Sequence, residues 1–226
     1  MEDRIETSDA PRWQRRPAER RREILDAAAF VFGERGFESA TLAEVGERAG
    51  VSPGTVQYYF GTKAALFQEV LSDRFFSGAA EDETLLIGHR GSYAALLRQL
   101  IERMWTRLNR PGNADLLLVG MASAPSCPEA GQVVNGETAV RCPRVLQGVL
   151  EAGIRQGEFR PVHAEHMARA IGASVIGMLV GRQRLGKLCQ GQRPEPGAVL
   201  AEFLELLERG LANEASRVME GRGDVA

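Results

Sequence analysis

The sequence is poor in cysteine, in long apolar runs and in secretion signals, and each shortage excludes a class of protein. Only three of the 226 residues are cysteine, an odd number with no Cys-x-x-Cys pair, which argues against a disulfide framework and favours a reducing compartment. The longest nearly apolar stretch, 172–181, is about half of what spans a bilayer. The N-terminus is polar and lacks the apolar core of a signal peptide. We therefore expect a cytoplasmic protein with no membrane partner.

Patterns that mark catalytic or metal sites are also missing. The chain has no Gly-x-Ser-x-Gly, no phosphate-binding loop and no His-Glu-x-x-His. A metal or thiol sensor could be built from His163, His166, Cys127, Cys142 and Cys189, but no second close ligand pair accompanies the histidines. The first two cysteines each precede proline, which places them at breaks between helices. We expect no enzyme, no cofactor and no metal, with surface histidines and inert buried thiols.

Helical periodicity, in contrast, is abundant. Apolar residues recur at three- and four-residue spacing, and no segment combines strict alternation with β-branched residues. We predict an all-α fold of about nine helices, with a hydrophobic fraction of 44% that is sufficient for a core. Beyond the first 75 residues the candidate helices are 91–109, 113–123, 137–156, 163–189 and 196–216. Proline and glycine mark the breaks between them.

The most informative segment is 41–63, TLAEVGERAGVSPGTVQYYFGTK. Residues 41–44 form a capping box for a first short helix, and Gly50 allows a tight turn. Ser52 caps a second short helix, with Pro53 at its first position. Apolar residues can form a small shared core: Leu42, Val45, Val51, Val56 and Phe60. The arrangement is typical of a helix-turn-helix, whose second helix enters the DNA major groove.

Side chains around the second short helix suit DNA chemically. Gln57 can bond bidentately to adenine, and the hydroxyls of Tyr58 and Tyr59 can reach phosphates. Gly54 has no side chain, so the backbone can approach DNA, and the ammonium of Lys63 lies at a helix start that favours phosphate. We predict ten DNA-binding residues: Thr41, Ser52, Pro53, Gly54, Thr55, Gln57, Tyr58, Tyr59, Lys63 and Arg22.

With its flanking helices, this segment resembles the TetR family of one-component transcriptional regulators. The resemblance covers about residues 20–71 and includes ILDAAAFVFGERGFESAT, the turn AGVSPGTV, the aromatic end YYF and TKAALF. It implies a homodimer whose N-terminal three-helix heads bind a double-stranded DNA operator and whose larger C-terminal domain binds a small-molecule effector that releases the DNA. Family members commonly carry Tyr at Gln57 and His at Tyr59. We therefore expect Gln57 to shift operator preference toward an adenine.

Composition and the resemblance together divide the chain into a disordered basic arm (1–16), a DNA-binding domain (17–62), an effector-binding and dimerisation domain (63–216) and a flexible tail (217–226). The arginine-rich run is either a DNA-contacting arm or a solvated helix start. Charge is scarce on the faces of the middle helices, which disfavours a strongly ionic effector. We predict a largely apolar effector and a pocket lined by Met104, Trp105, Leu108, Leu117 and Met121.

Two C-terminal helices carry apolar surfaces broader than a single stripe. Their natural use is a four-helix interface built from two helices of each protomer, and the alternative is burial inside one protomer. We prefer the dimer because two reading heads need a fixed spacing. The predicted interface residues are Ile171, Val175, Met178, Leu179, Leu200, Phe203, Leu204 and Leu207.

The formal net charge of -2, from 28 basic and 30 acidic side chains, by itself argues against nucleic-acid binding. Residues 12–22 nevertheless hold six arginines and one glutamate, a charge of +5 that leaves −7 for the rest of the chain. The prediction is a sequence-specific DNA-binding regulator, a repressor released by its effector. The alternative is a helical small-molecule-binding or protein-interaction module without operator binding.

Overall fold

The computed structural model describes residues 17–135, 137–188 and 195–213, which form eleven α-helices. In these ranges an isolated bridge between Phe159 and Ala212 is the sole β-type pairing, and no helix is long and apolar enough to cross a membrane. The all-α prediction is confirmed. In chain order the helices are α1 (Pro17–Ser39), α2 (Leu42–Ala49), α3 (Pro53–Phe60), α4 (Lys63–Phe76), α5 (Ala79–Ile87), α6 (Tyr93–Leu108), α7 (Asn113–Ser123), α8 (Pro128–Asn135), α9 (Glu137–Gln156), α10 (Ala164–Leu188) and α11 (Pro196–Leu211).

The described residues contain two helices more than the nine expected, because α5 and α8 were not predicted. Helix α8 begins at Pro128, one of the prolines interpreted as a break. Proline disrupts a helix interior, but at the first position its missing N–H has no partner to lose. Helix α5 has only nine residues, too short a window for periodicity to be informative.

The small core expected beneath the helix-turn-helix is present. Val45 and Val56 are completely buried and Phe60 nearly so, while Leu42 and Val51 are half-buried and pack against them. Each short helix therefore turns its apolar face inward. The remaining positions of α3 are free to face outward.

Three aromatic rings join the head to the helix that follows it. Helix α1 departs from helical geometry at Gly36 (φ 76°), and the chain returns Phe37 to the core. The ring of Phe67 on α4 then lies 4.7 Å from that of Phe32 and 4.9 Å from that of Phe37. Because Phe67 is fully buried, α4 cannot pivot on α1 without breaking this packing.

The C-terminal domain places α6 and α9 at its centre, with α10 and α11 outside them. Ile101 of α6 and Leu150 of α9 are completely buried. Helix α11 is tied back to α6 by an ion pair of 2.6 Å between Arg98 and Glu208. At its end, the carbonyl of Leu211 accepts a hydrogen bond of 2.8 Å from the backbone N–H of Arg160.

Most of the residues predicted for the dimer interface lie inside the protomer. The inward side chains are the larger apolar ones, because exposing them to water costs the most free energy. Ile171, Val175, Leu179, Leu200 and Leu204 are buried within the single chain. Met178, Phe203 and Leu207 are half-buried and pack against the same core. The alternative of burial in one protomer therefore describes these stripes.

The prediction that Cys142 lies at a break between helices is wrong. Cys142 and Pro143 lie inside α9, whereas Cys127 directly precedes α8 as expected. Burial raises the pKa of the Cys142 thiol, with the nearby Arg107 opposing that shift. Cys142 is half-buried, and a thiol with a raised pKa is a poor nucleophile.

Helix α6 depends on one carboxylate from a distant segment. Glu158 accepts hydrogen bonds from the Ser92 hydroxyl at 3.0 Å and from the backbone N–H groups of Tyr93 and Ala94 at 3.0 and 3.1 Å. Glu158→Ala leaves these N–H groups without that partner and should lower the free energy of unfolding by about 1–2 kcal/mol. For a chain of this size the melting temperature should fall by roughly 2–4 °C per kcal/mol. The control is Glu202→Ala on the exposed side of α11, and equal melting temperatures for the two variants would contradict the capping role.

Candidate nucleic-acid interface

Helices α2 and α3 each begin at a side-chain cap, and Gly50 shapes the turn between them. The Thr41 hydroxyl accepts from the Glu44 N–H at 3.2 Å, and the Glu44 carboxylate accepts from the Thr41 N–H at 3.0 Å, which confirms the predicted capping box. Gly50 ends α2 in the left-handed conformation (φ 66°, ψ 36°), which is unfavourable for residues that carry a Cβ atom. The Ser52 hydroxyl then accepts from the Thr55 N–H at 3.1 Å.

Helix α2 also approaches the turn too closely for any side chain at Gly46. A Cβ at this position would lie 2.8 Å from the carbonyl oxygen of Val51 and 3.3 Å from the nitrogen of Pro53. The contact depends on the angle between the helices, so sequence spacing gives no sign of it. It sets the position of α3 against α2.

Helix α3 presents one exposed face that carries no charge. Pro53, Gly54, Gln57 and Tyr58 are exposed, and the Tyr58 side chain is 85% exposed. Tyr59 is half-buried and meets the Tyr58 ring edge-on, with 5.5 Å between centroids. This face offers amide, hydroxyl and backbone groups for hydrogen bonding at the surface of the head.

The structure gives Lys63 a role that the sequence did not suggest. Its ammonium donates to the carbonyl oxygens of Phe37, Glu38 and Ala40 at 2.9, 3.0 and 3.1 Å. The three N–H groups of the ammonium thus satisfy the carbonyls that the end of α1 leaves open. The Phe37 ring lies 4.7 Å below the ammonium. Lys63 therefore closes α1 in this structure and is not held ready for a phosphate.

The arginines at the start of α1 are paired with carboxylates. Arg22 lies 3.0 Å from Asp73 of α4, and Arg21 pairs with Glu69 of the same helix. Such exposed pairs add little stability, yet they neutralise the charge that was expected to attract DNA. The arginines at 12, 15 and 16 belong to the arm 1–16, which lies outside the described residues.

The histidine and cysteine candidates form no metal site in the described ranges. The rings of His163 and His166 stack with 3.7 Å between centroids and 12° between planes, and both side chains are exposed. No group of three or more metal-ligating side chains occurs among the described residues. Cys189 lies outside those residues.

The structure separates the residues predicted for the effector pocket. Met104 is half-buried and lines a small cavity between α5, α6 and α9. Trp105, Leu108 and Leu117 are buried in the core, and Met121 is 50% exposed on the surface. Alternate residues of a helix point to different sides, so a set chosen by chemical type did not converge on one space.

Sequence reasoning missed a pair of buried charges in the same region. Arg107 and Asp82 are 8% and 5% exposed, and Arg107 Nη2 donates to Asp82 at 2.7 Å. Arg103 donates to the other oxygen of Asp82 at 2.6 Å, a hydrogen bond that raises the pKa of the Arg103 guanidinium. Asp82 belongs to the unpredicted α5, so its carboxylate could not be matched with α6 in advance.

A wider cleft of about 700 Å³ opens where the head meets the C-terminal domain, between α1, α2, α4 and the turn before α7. The Arg48 guanidinium stacks over the Phe30 ring at 3.2 Å, and Arg74 pairs with Asp26 at 2.7 Å. Charged groups on its walls are thus engaged with each other or with a ring.

Known proteins match the head closely and the whole chain more distantly. The family model described as "Bacterial regulatory proteins, tetR family" matches residues 24–70. The A-factor receptor protein of Streptomyces griseus is 27% identical over 172 residues, which are 67% of this chain and 62% of the relative. The fatty acid metabolism regulator protein of Bacillus subtilis is 27% identical over 197 residues, 85% of this chain and 95% of the relative. Residues 24–70 thus carry the DNA-binding head of the TetR family of transcriptional regulators.

Solved structures extend the TetR likeness to the C-terminal domain. The regulator FadR from Bacillus subtilis, in complex with stearoyl-CoA, covers 84% of this chain with a TM-score of 0.68 and 21% identity, and 98% of that structure is matched. NalD, the secondary repressor of an efflux pump in Pseudomonas aeruginosa, covers 87% with a TM-score of 0.68 and 22% identity, and 98% of that structure is matched. At these identities the likeness shows the fold, an N-terminal helix-turn-helix head on a helical C-terminal domain.

The role of Lys63 in this TetR head can be tested by stability. Lys63→Met keeps the apolar stem but removes the cap of α1, and should lower the free energy of unfolding in urea by about 1–2 kcal/mol. The control is Arg35→Met, which removes one positive charge from a side chain that is 64% exposed and 3.7 Å from Glu44, and it should change little. Unchanged stability of Lys63→Met together with weakened DNA binding would contradict the capping role and support a contact between Lys63 and a phosphate.

Proposed function

We propose that this chain represses transcription by binding an operator through α3 and leaves the DNA when its C-terminal domain binds a small effector. The supporting observation is the exposed, uncharged face of α3, held by the Ser52 cap at its start and anchored by Val56 and Phe60 in the core. A helix that is fixed on one side and rich in hydrogen-bonding groups on the other suits reading of base edges.

Within this proposal the side chains of α3 have different tasks. Gln57 is exposed and its amide can both donate to and accept from an adenine edge. Tyr58 reaches furthest into solvent and is assigned to a phosphate. The hydroxyls of Ser52 and Thr55 bond to each other at 2.9 Å, so we assign these two residues to positioning α3, together with Thr41 at the start of α2.

We propose that the predicted domain boundary lies at the start of α4, between a head at 17–62 and a C-terminal domain at 63–216. The support is that Thr62 caps α4 through the Ala65 N–H at 3.1 Å, which makes α4 a separate helix that links both domains. The tail at 217–226 lies outside the described residues.

We propose homodimerisation through the outward faces of α10 and α11, in place of the buried stripes. Ala170, Ala173 and Gly177 leave the exposed face of α10 flat, and Leu206 on α11 is 69% exposed. A second copy of the chain would cover these residues and place two reading heads at the spacing of two half-sites.

For the effector, two of the similar proteins are associated with long acyl chains. One similar structure contains stearoyl-CoA, and one relative is named for fatty acid metabolism. We propose for this chain, as the sequence predicted, a small and largely apolar effector within the C-terminal domain.

Operator binding is tested by footprinting on the DNA upstream of the chain's own gene. We expect two protected half-sites about one helical turn apart. Gln57→Ala should reduce discrimination at one base pair by roughly tenfold or more, as expected for a lost bidentate contact. Gln99→Ala, an exposed glutamine on α6, is the control. If Gln57→Ala weakens every operator variant equally, the base-reading role fails, and absence of any footprint favours the module without operator binding.

The arginine-rich arm is tested by salt dependence. With Arg21 and Arg22 paired to α4 and Lys63 capping α1, we assign most phosphate attraction to the arginines at 12, 15 and 16. Deleting residues 1–16 should lower operator affinity and reduce the slope of log K against log salt by roughly 0.9 for each lost phosphate contact. An unchanged slope would show that the arm does not contact DNA.

A further inference from the structure

An unsatisfied donor lies in the middle of the C-terminal domain. Among the described residues none accepts a hydrogen bond from Arg107 Nε, which is buried, although Nη2 of the same guanidinium donates to Asp82 at 2.7 Å. The Arg107 side chain is only 10% exposed. A buried N–H without a partner is costly because it has lost its water. The neighbouring Cys142 sulfur, which interacts with the Arg107 guanidinium, is a weak acceptor. An oxygen from outside the chain would satisfy this donor.

Arg107 is one of the residues that line a cavity with mostly apolar walls. The enclosed space is about 10 Å³, roughly the room for one water molecule. A larger ligand must therefore push the helices apart as it enters. The cavity is bounded by α5, α6 and α9 through Ala79, Asp82, Leu100, Met104, Arg107, Cys142, Val145 and Leu146.

Charge around the cavity is already balanced. The Asp82 carboxylate accepts from Arg107 at 2.7 Å and from Arg103 at 2.6 Å, and Arg103 also donates to Glu81 at 3.0 Å. Two guanidinium groups thus face two carboxylates, and the Cys142 thiol is held neutral by burial. An incoming carboxylate would bury an uncompensated negative charge. An uncharged oxygen would satisfy Arg107 Nε without that penalty.

We propose that the effector is an uncharged, largely apolar molecule whose carbonyl oxygen accepts a hydrogen bond from Arg107 Nε. This inference rests on the proposed function, since it names the chemical class of that regulator's effector. The acyl or alkyl part of the molecule occupies the space between Leu100, Met104 and Leu146. Arg107 fixes the orientation of the ligand.

The position of Arg107 also connects the cavity to the head. A Cβ added at Gly78 would lie 3.3 Å from Arg107 Nη1, so the guanidinium lies directly against the backbone that joins α4 to α5. Helix α4 packs on α1 through Phe67. A ligand that separates α9 from α5 and α6 would therefore displace the connection between α4 and α5. Because the head packs on α4, the head would move with it.

The test measures binding of three ten-carbon probes to the full chain without DNA: 2-decanone, decanoate and decane. Calorimetry and thermal shift should show that 2-decanone binds most tightly. Arg107→Lys keeps a positive charge opposite Asp82 but removes the Nε donor, and should weaken 2-decanone binding roughly tenfold while leaving decane binding unchanged. Arg103→Lys on the same helix, which also contacts Asp82 but does not line the cavity, should bind 2-decanone as the wild type does.

A second variant keeps the test decisive if Arg107→Lys is unstable. Leu146→Phe fills the cavity with an apolar side chain, and it should abolish 2-decanone binding while the far-ultraviolet circular dichroism stays that of the wild type. Retention of 2-decanone binding in this variant would place the probe elsewhere and overturn the proposal.

Equal affinity of Arg107→Lys and wild type for 2-decanone, tighter binding of decanoate, or no binding of any probe would each overturn the proposal, the last showing that the cavity holds only water. The footprint on operator DNA is read separately. A chain that binds DNA but no ketone retains the repressor and loses this effector class, whereas a chain that binds the ketone at Arg107 but no DNA retains the site and loses the repressor.

Discussion

The packing of Phe67 between Phe32 and Phe37 is the contact on which the rest of the structure depends. It fixes α4 on α1, with the Phe67 ring centroid 4.7 and 4.9 Å from those of Phe32 and Phe37, and α4 leads directly through Gly78 into α5 and the rest of the C-terminal domain. Lys63 reinforces the joint by binding the carbonyls at the end of α1. Because interiors are close-packed and do not deform continuously, the head follows α4 whenever that helix moves.

Several charged side chains of the head form ion pairs between α1 and α4. The basic start of α1 is neutralised by Asp73 and Glu69 on α4, and α3 itself carries no charged side chain. In the proposed function, such a head would rely on hydrogen bonding for selectivity, because long-range attraction is weak at α3. The acidic remainder of the chain would also limit adhesion to random DNA. Net charge alone was therefore a poor guide to the class of partner.

Local features of the site were predictable, and those that depend on partners distant in sequence were not. The capping box at Thr41, the turn at Gly50 and the core positions of Val45 and Val56 follow from spacing over a few residues. The capping role of Lys63 was not predicted because its three acceptors lie 23 to 26 residues away in the sequence. The residues predicted for the effector pocket do not line one cavity, because residue type without helix orientation does not show which side chains face each other.

The sequence by itself determined the all-α class, the helix-turn-helix and the family, since each of these is encoded in short-range periodicity, caps and a contiguous motif. Only the tertiary structure decided that Ile171, Val175 and Leu179 face inward, because an apolar stripe is the same whether it covers its own core or a second copy. It alone also brought Asp82 and Arg107 together, from a helix that periodicity did not predict. Burial of opposite charges is a property of the packed fold, and no local pattern contains it.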